Sequence, residues 1–313
     1  PQGRDGGDPQ PALLAAVPLG PCLDWTPARL RALLGDLKVS VHASATAGLS
    51  FATKNFGYEI MRFGDFLQLM GSGDGRYYYY RSQHTKPNKP AALEALGLEL
   101  AREFRLPPGL PDGYATHSTV LRVASPGLCM WLHYDVCDNL LCCVRGRKRV
   151  VLLHPSEVGN FHMAGSSSTL GSRPLLAAGA DDGLWRSYPL ARDAWQRRVE
   201  LVLEPGDVLF IPALWLHCTQ ALPGAEDGPS VSVNQFLIRP ELAAMHDAKD
   251  VFANREPLPA QEALRALEEK VSPSLQKLPP VHRAFYCRKA AAGLLAAAEA
   301  AEAELRGGVV SSG

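Results

Sequence analysis

The stretch Trp131–Asp138, WLHYDVCD, with the run NLLCCVRGRKRVVLL that follows it over Asn139–Leu153, sets the fold of this chain. On extended backbone, successive side chains point to opposite faces, so His133 and Asp135 project together while Tyr134 projects the other way. An imidazole and a carboxylate placed in this way supply two corners of the two-histidine, one-carboxylate triad that holds non-haem Fe(II) and leaves coordination positions open. Three residues in a row form a weak pattern. Its meaning depends on whether the chain also supplies a third ligand, an anchor for a second substrate and a scaffold.

The scaffold is legible from the spacing of apolar runs. From Ser118 onward short strands are expected at 118–123, 129–136, 140–145, 148–153, 199–204, 207–212, 214–220 and 230–238, separated by Gly and Pro turns. This pattern predicts an antiparallel sandwich or jelly roll. A Gly/Ser-rich stretch at about 155–185 reads as a long surface insertion.

Upstream, residues 1–24 are Gly- and Pro-rich, with one short strand expected around 12–17. Trp25–Gly35 predicts a helix with Thr26 as N-cap and Pro27 in its first turn. Lys38–Ala43 alternates like a strand, Phe63–Met70 has helical spacing, and 91–105 reads as helix. The tyrosine run in Arg76–Arg81 predicts a strand with Tyr77 and Tyr79 on one face and Tyr78 and Tyr80 on the other. After Pro240 the strand signal ends, and 259–271 and 281–305 have helical spacing, with breaks at Pro273, Pro279 and Pro280. Three regions follow: an N-terminal segment 1–24, a jelly-roll domain 25–240 and a helical region 241–313.

Composition narrows the function classes. Lys plus Arg and Asp plus Glu are 32 each, so net charge is zero and any nucleic-acid partner must be met by a local basic patch. The seven cysteines form no C-x-x-C pair and lie mostly in apolar runs, which reads as buried free thiols in a reducing compartment. No apolar run is long enough to span a bilayer, so the expectation is a soluble, intracellular protein, cytoplasmic rather than nuclear. The chain starts at Pro1 rather than Met, which suggests a fragment or an incomplete gene model.

Glu204–His217, EPGDVLFIPALWLH, is the second informative stretch. Pro205-Gly206-Asp207 reads as a turn, Val208–Ile211 as a buried strand and Pro212 as its terminator, with His217 on the next strand. In a double-sheet roll, strands distant in sequence lie side by side, so His217 can complete the site begun by His133 and Asp135. His42, His84, His117, His154, His162, His246 and His282 are read as structural. Lys148, Val150 and Leu152 share one face of their strand. If that face lines the roll, Lys148 is a cation in an apolar lumen, costly unless an anion sits opposite. A solvated turn is the alternative, and the one preferred for Arg145 and Arg147.

On these residues, His133-x-Asp135, Lys148 and the Pro-Gly-Asp turn leading to His217, the chain resembles the JmjC branch of the Fe(II)/2-oxoglutarate-dependent oxygenases. SPGLCMWLHYDVCDNLLCCVRGRKRVVLLHP and EPGDVLFIPALWLH resemble more closely the tRNA wybutosine hydroxylases of that branch. The likeness extends from LGPCLDWT and TKNFGYE to the Arg283–Lys289 region, about residues 18–290. The resemblance implies a cupin-like double-stranded β-helix core with C-terminal helices and His133, Asp135 and His217 as iron ligands. It further implies Tyr79, Asn139 and Lys148 as 2-oxoglutarate contacts, Lys148 pairing the distal carboxylate, with O2 as the other co-substrate. By the same resemblance, the substrate is the side chain of a wyosine-type guanosine beside the anticodon of phenylalanine tRNA, and a homodimer is the expected assembly. Two departures stand out: an early helix of the family is not recognisable in 1–17, and the 155–185 insertion is diverged.

A tRNA substrate requires phosphate neutralisation. The basic clusters at hand are Lys86 and Lys89, Arg145, Arg147 and Arg149, Arg192, Arg197 and Arg198, and Arg283, Arg288 and Lys289, expected together to form one basic surface. Two other functions compete: a JmjC hydroxylase acting on a peptide side chain, and a cupin-like RNA-binding protein without catalysis. The intact set of three ligands and Lys148 argues against the latter.

Overall fold

The computed structural model describes residues 9–106, 113–171, 182–223 and 228–307. The chain divides into two compact units. One runs over Leu13–Ala243 with Ala248–Arg255, and the other contains Ala244–Asp247 and the chain from Glu256 onward.

The first unit is built on strands β1 (Ala12–Leu14), β2 (Lys38–Ser44), β3 (Gly57–Arg62), β4 (Tyr77–Arg81), β5 (Ala115–Ala124), β6 (Asp138–Arg145) and β7 (Arg147–Leu153). These are followed by β8 (Met163–Ala164), β9 (Ser167–Ser168), β10 (Val199–Leu203), β11 (Val208–Ile211), β12 (Leu216–Leu222) and β13 (Ser230–Ile238). Eight of them form one sheet in the order β1-β11-β6-β13-β5-β4-β2-β3, three form a smaller sheet β10-β7-β12, and β8-β9 make a ribbon. Sequence neighbours β6 and β7 do not pair: at Gly146, where φ is 70°, the chain crosses from the large sheet to the small one. This mainly β double-sheet roll with helical additions is the class expected from the short, turn-punctuated strands.

Strand alternation sorts side chains into two cores. On β13, Val231 and Val233 face outward with Leu121, Val123, Tyr78 and Tyr80, and this layer is covered by Trp25, Leu30, Phe63 and Phe66 from the N-terminal helices. The helix Pro27–Leu34 starts where expected, with the Thr26 hydroxyl accepting from Arg29 N–H. Between the two sheets, Leu141, Cys143, Leu209 and Ile211 of the large sheet pack on Val150, Leu152 and Leu203 of the small one. Burying such side chains stabilises by roughly 1.5–3 kcal/mol each, which makes this interleaf a rigid floor for whatever lies beside it.

Several expected elements are altered by the tertiary structure. Residues 129–136 are not a regular strand. They are extended but held by isolated bridges, Cys129 to Gly48 and Gln220, and His133 to Ser167 and His217, because their neighbours on the two sides come from different elements. The 12–17 strand is shortened to Ala12–Leu14. The 91–105 helix is split into a 3-10 turn at Leu93–Ala95 and a helix at Leu98–Glu103, with Gly97 extended between them. The 155–185 insertion contains regular structure: a 3-10 turn at Pro155–Asn160, the β8-β9 ribbon and a helix beginning at Asp182; its part at 172–181 lies outside the described residues.

In the second unit, Pro273 does not break the helix. Leu258–Ala266 continues through a π turn at Leu267–Val271 into Ser272–Gln276. The wider turn relieves the clash a proline ring makes with the preceding carbonyl, and Pro273 falls in the first turn of the new segment, where its missing N–H costs nothing. The interruption comes at Pro279, before a terminal helix Pro280–Gly307 whose residues Val281–Leu305 are all exposed. Among the described residues no helix is long and apolar enough to cross a membrane.

Candidate functional site

His133 and His217 face each other because their backbones exchange both hydrogen bonds, His133 N–H to His217 O at 2.9 Å and His217 N–H to His133 O at 2.7 Å. Such a pair projects its two side chains to the same side, and the imidazole centroids lie 4.3 Å apart. Asp135, two residues on, places Oδ2 3.4 Å from His217 Nε2. One ligand atom from each of the three side chains falls within 4.8 Å of the others.

The turn between β11 and β12 holds this convergence. Leu214 sits at φ 70°, a conformation that costs a non-glycine residue about 1 kcal/mol or more. Its N–H donates to the Asp135 carbonyl at 2.9 Å, and Ala213 N–H donates to Asp138 Oδ1 at 2.7 Å. Asp138 is fully buried and takes a two-pronged contact from Arg239, Nε to Oδ2 and Nη2 to Oδ1, both 2.7 Å. A buried ion pair therefore locks the turn carrying His217 onto the segment carrying Asp135.

Tautomers are set by the backbone. His133 Nδ1 lies 2.9 Å from Trp131 O and His217 Nδ1 2.9 Å from Trp215 O. A carbonyl only accepts, so each Nδ1 carries the proton and each Nε2 presents a lone pair, the orientation typical of metal-ligating histidines. Burial, followed by the neighbouring His217, pushes His133 down to about 4 and keeps it neutral. Burial alone would raise the Asp135 carboxyl, but the adjacent His217 and the nearby charges, Arg122 among them, hold it below the usual carboxylate range. Two imidazoles and one carboxylate, closely spaced and largely withdrawn from solvent, fit a divalent metal with open positions.

The pocket beside these residues is lined by Tyr79, Arg122, Asn139, Lys148, Thr219 and Asn234, among others. Tyr79, Asn139 and Lys148 thus open onto the same space as the histidines. Lys148 is only 6% exposed, and burial, then the charge of Arg122, pushes it down to about 8. No carboxylate among the described residues offsets its charge. Asn139 donates to Asp135 Oδ2 at 3.3 Å and accepts from Asn234 Nδ2 at 3.0 Å. The lumen therefore holds two cations, Lys148 and Arg122, beside a triad whose one carboxylate is engaged.

Arg122 was not anticipated from the sequence. Its Nη1 donates to Tyr79 Oη at 2.5 Å, while its Nε, Ser232 Oγ and Asn234 Oδ1 are buried with no hydrogen-bond partner. Ser232 lies directly opposite Arg122 across the β13–β5 ladder. Unpartnered buried polar atoms are costly, and three of them around one pocket mark where a polar ligand belongs. The available signal was a charge inside VLRVA, Val120–Ala124, where strand alternation puts Arg122 on the face of Val120 and Ala124.

The expected basic surface is largely spent on local pairing. Arg147 pairs with Glu204 at 2.8 Å, Arg149 with Glu200 at 2.7 Å, Arg192 with Asp193 at 3.2 Å, Arg197 with Glu157 at 2.7 Å and Arg198 with Glu200 at 3.3 Å. Lys86, Lys89, Arg283, Arg288 and Lys289 are exposed.

Comparison with known proteins agrees with this architecture. A family model described as a cupin-like domain matches residues 9–237. The chain is 38% identical over 291 residues to tRNA wybutosine-synthesizing protein 5 of Danio rerio, covering 90% of this chain and 84% of that one. It is 33% identical over 295 residues to the Homo sapiens protein of the same name, covering 90% and 87%. Against tRNA wybutosine-synthesizing protein 4 of Neurospora crassa the identity is 36% over 302 residues, 94% of this chain but only 24% of that much longer protein. With the double-sheet roll matched by the cupin-like model and near full-length identity above 30% to these relatives, the chain belongs to the cupin-like tRNA wybutosine-synthesizing protein 5 family.

Proposed function

We propose that this protein is an Fe(II)/2-oxoglutarate-dependent hydroxylase acting on the side chain of a wyosine-type guanosine next to the anticodon of phenylalanine tRNA. The observation that carries this reading is the placement of a metal-fitting His133–Asp135–His217 set beside a pocket that holds the buried Lys148 and the half-buried Arg122. The names of the relatives support the tRNA substrate.

Here His133 and His217 contribute Nε2, with their Nδ1 protons held by Trp131 and Trp215 carbonyls, and Asp135 contributes its carboxylate. Held there, iron would supply the coupling of 2-oxoglutarate oxidation by O2, to succinate and CO2, to insertion of one oxygen atom into a substrate C–H bond. Lys148 offers its ammonium to the distal carboxylate of 2-oxoglutarate. Tyr79, oriented by Arg122, and Asn139, oriented by Asn234, donate to the same molecule. Apolar packing of Leu141, Val150 and Leu209 beside them keeps water out of the inner end.

The terminal helix supports a homodimer: Phe285, Leu294 and Leu295 are 60%, 56% and 64% exposed in the single chain, and helices in proteins draw most of their stability from packing an apolar face. The test of function is incubation of the protein with Fe(II), 2-oxoglutarate and phenylalanine tRNA carrying the unhydroxylated base. Succinate release and a nucleoside heavier by one oxygen are expected; neither product forming with fully loaded protein rejects the reading.

A further inference from the structure

The large sheet is wider than the small one, and at its β4-β2-β3 end its inner face emerges from the roll. The ladder registers put Tyr58, His42 and Tyr79 in one row, since His42 lies opposite both Tyr58 on β3 and Tyr79 on β4. The row begins at the open edge and ends in the pocket. Tyr58 is 67% exposed. Its ring lies 4.7 Å from His42, and the His42 ring lies 5.0 Å from Phe56 and 5.4 Å from Tyr79. Phe56 is nearly parallel to Trp131, at 6.0 Å and 10°, and Phe51 lies 5.8 Å from Trp131. Lys54 stands over this surface with Nζ 3.6 Å from the Phe51 ring centre and 5.9 Å from that of Trp131.

The surface is rigid. Asn55 ties its loop together, accepting from Ser50 N–H at 2.8 Å and donating to Thr46 Oγ1 at 3.0 Å and Gly48 O at 2.8 Å. The loop is joined to the ligand segment by Leu49 N–H to Cys129 O at 3.0 Å and Cys129 N–H to Ala47 O at 2.8 Å. Trp131 is itself connected to the site, since its carbonyl accepts from His133 Nδ1. An aromatic cluster serving only as core would be covered. Here Tyr58 is largely open to solvent, and Phe51, Phe56, Trp131 and His42 are partly open.

We infer that this aromatic shelf is the stacking platform for an unpaired nucleobase of the RNA loop, a neighbour of the base whose side chain enters the pocket, with Lys54 meeting the adjoining phosphate. The inference rests on the tRNA-hydroxylase reading and names the surface that reading requires. Sequence-specific proteins take single-stranded RNA by splaying bases onto exposed aromatic faces. The shelf combines such faces with a cation and continues without interruption into the pocket. Charge complementarity and this continuity favour an RNA loop over an apolar protein partner, which would not need the lysine.

The experiment is binding of the isolated anticodon stem–loop of phenylalanine tRNA to the full chain, as a function of salt, for the parent, Tyr58→Ala, Tyr58→Phe and Lys54→Gln. Stacking lost at Tyr58→Ala should weaken binding by about fivefold or more while leaving the salt dependence unchanged, and Tyr58→Phe should restore it. Lys54→Gln should lower the slope of log affinity against log salt by about 0.7, the value for one phosphate contact on a single strand. Affinity of Tyr58→Ala within about twofold of the parent overturns the shelf alone, provided the parent binds. A change of oligomeric mass in Tyr58→Ala with RNA affinity retained assigns the surface to a second copy of the chain and also overturns it. A parent that does not bind the stem–loop at all overturns both the shelf and the function on which it rests.

Discussion

Replacing Lys148 by Met should change stability and ligand binding in opposite directions. Holding the ammonium in the lumen lowers it from the ordinary 10.5 to about 8, which costs the unliganded native state about 3 kcal/mol at neutral pH. The sign follows from proton binding. Between pH 8 and 10.5 the unfolded chain holds this proton more tightly than the native one, so the penalty is present in full below pH 8 and vanishes as pH rises to 10.5. Lys148→Met removes the penalty while keeping an unbranched side chain among Cys143, Val150 and Leu141. The unliganded variant should therefore be stabilised at pH 7 by up to about 3 kcal/mol, or roughly 6–12 °C in melting temperature. The parent should gain on it between pH 8 and 10.5. Binding of 2-oxoglutarate should fall by about 2–5 kcal/mol, because a dicarboxylate in the lumen loses its buried cation. Differential scanning fluorimetry with and without 2-oxoglutarate, in the presence of Mn(II), reads both effects in one series. A variant that binds the acid as tightly as the parent would refute the anchoring role of Lys148; one that melts lower than the parent without ligand would refute the burial argument.

Other perturbations test the remaining parts of the site. Arg122→Met should weaken 2-oxoglutarate binding more than metal uptake, since it hydrogen-bonds Tyr79 and reaches the triad only through its charge near Asp135; calorimetry with Co(II) and the acid added in turn separates the two. His133→Ala should lower Co(II) affinity by more than the ten- to hundredfold seen when outer partners of a ligand are removed. His133 is neutral above its pKa of about 4, so this ligand should remain available to metal through mildly acidic conditions and be lost only as pH falls through that value. Arg239→Met leaves the Asp138 carboxylate buried and unpaired, and should cost about 3–5 kcal/mol in chemical denaturation while loosening the turn that carries His217. Charge substitution at Leu294 and Leu295 should convert a dimer to a monomer by sedimentation; a parent that is already monomeric removes the dimer proposal.

The sequence by itself determined the local and periodic features. Alternation placed Tyr79 apart from Tyr78 and Tyr80, Lys148 on the face of Val150 and Leu152, and His133 on the face of Asp135, because strand geometry depends only on parity. Thr26 and Pro27 marked a helix start through cap chemistry alone, and the density of short strands separated by turns indicated a double-sheet roll. Tertiary structure decided what depends on partners distant in the chain. Whether 129–136 forms a regular ladder depended on neighbours drawn from residues 48, 167, 217 and 220. Pro273 reads as a helix breaker in sequence, but a preceding π turn absorbs its ring. Arg122 is one charge in a strand until β13 and β4 bring Ser232 and Tyr79 beside it, and five arginines of the expected basic surface, Arg147, Arg149, Arg192, Arg197 and Arg198, pair with carboxylates up to 57 positions away. Parity is written in neighbouring residues, whereas burial and charge compensation arise only when separate strands meet. For that reason the pair His133 and Asp135 could be named from eight residues of sequence, while the lumen that gives the pair an anion-binding neighbour exists only in the closed roll.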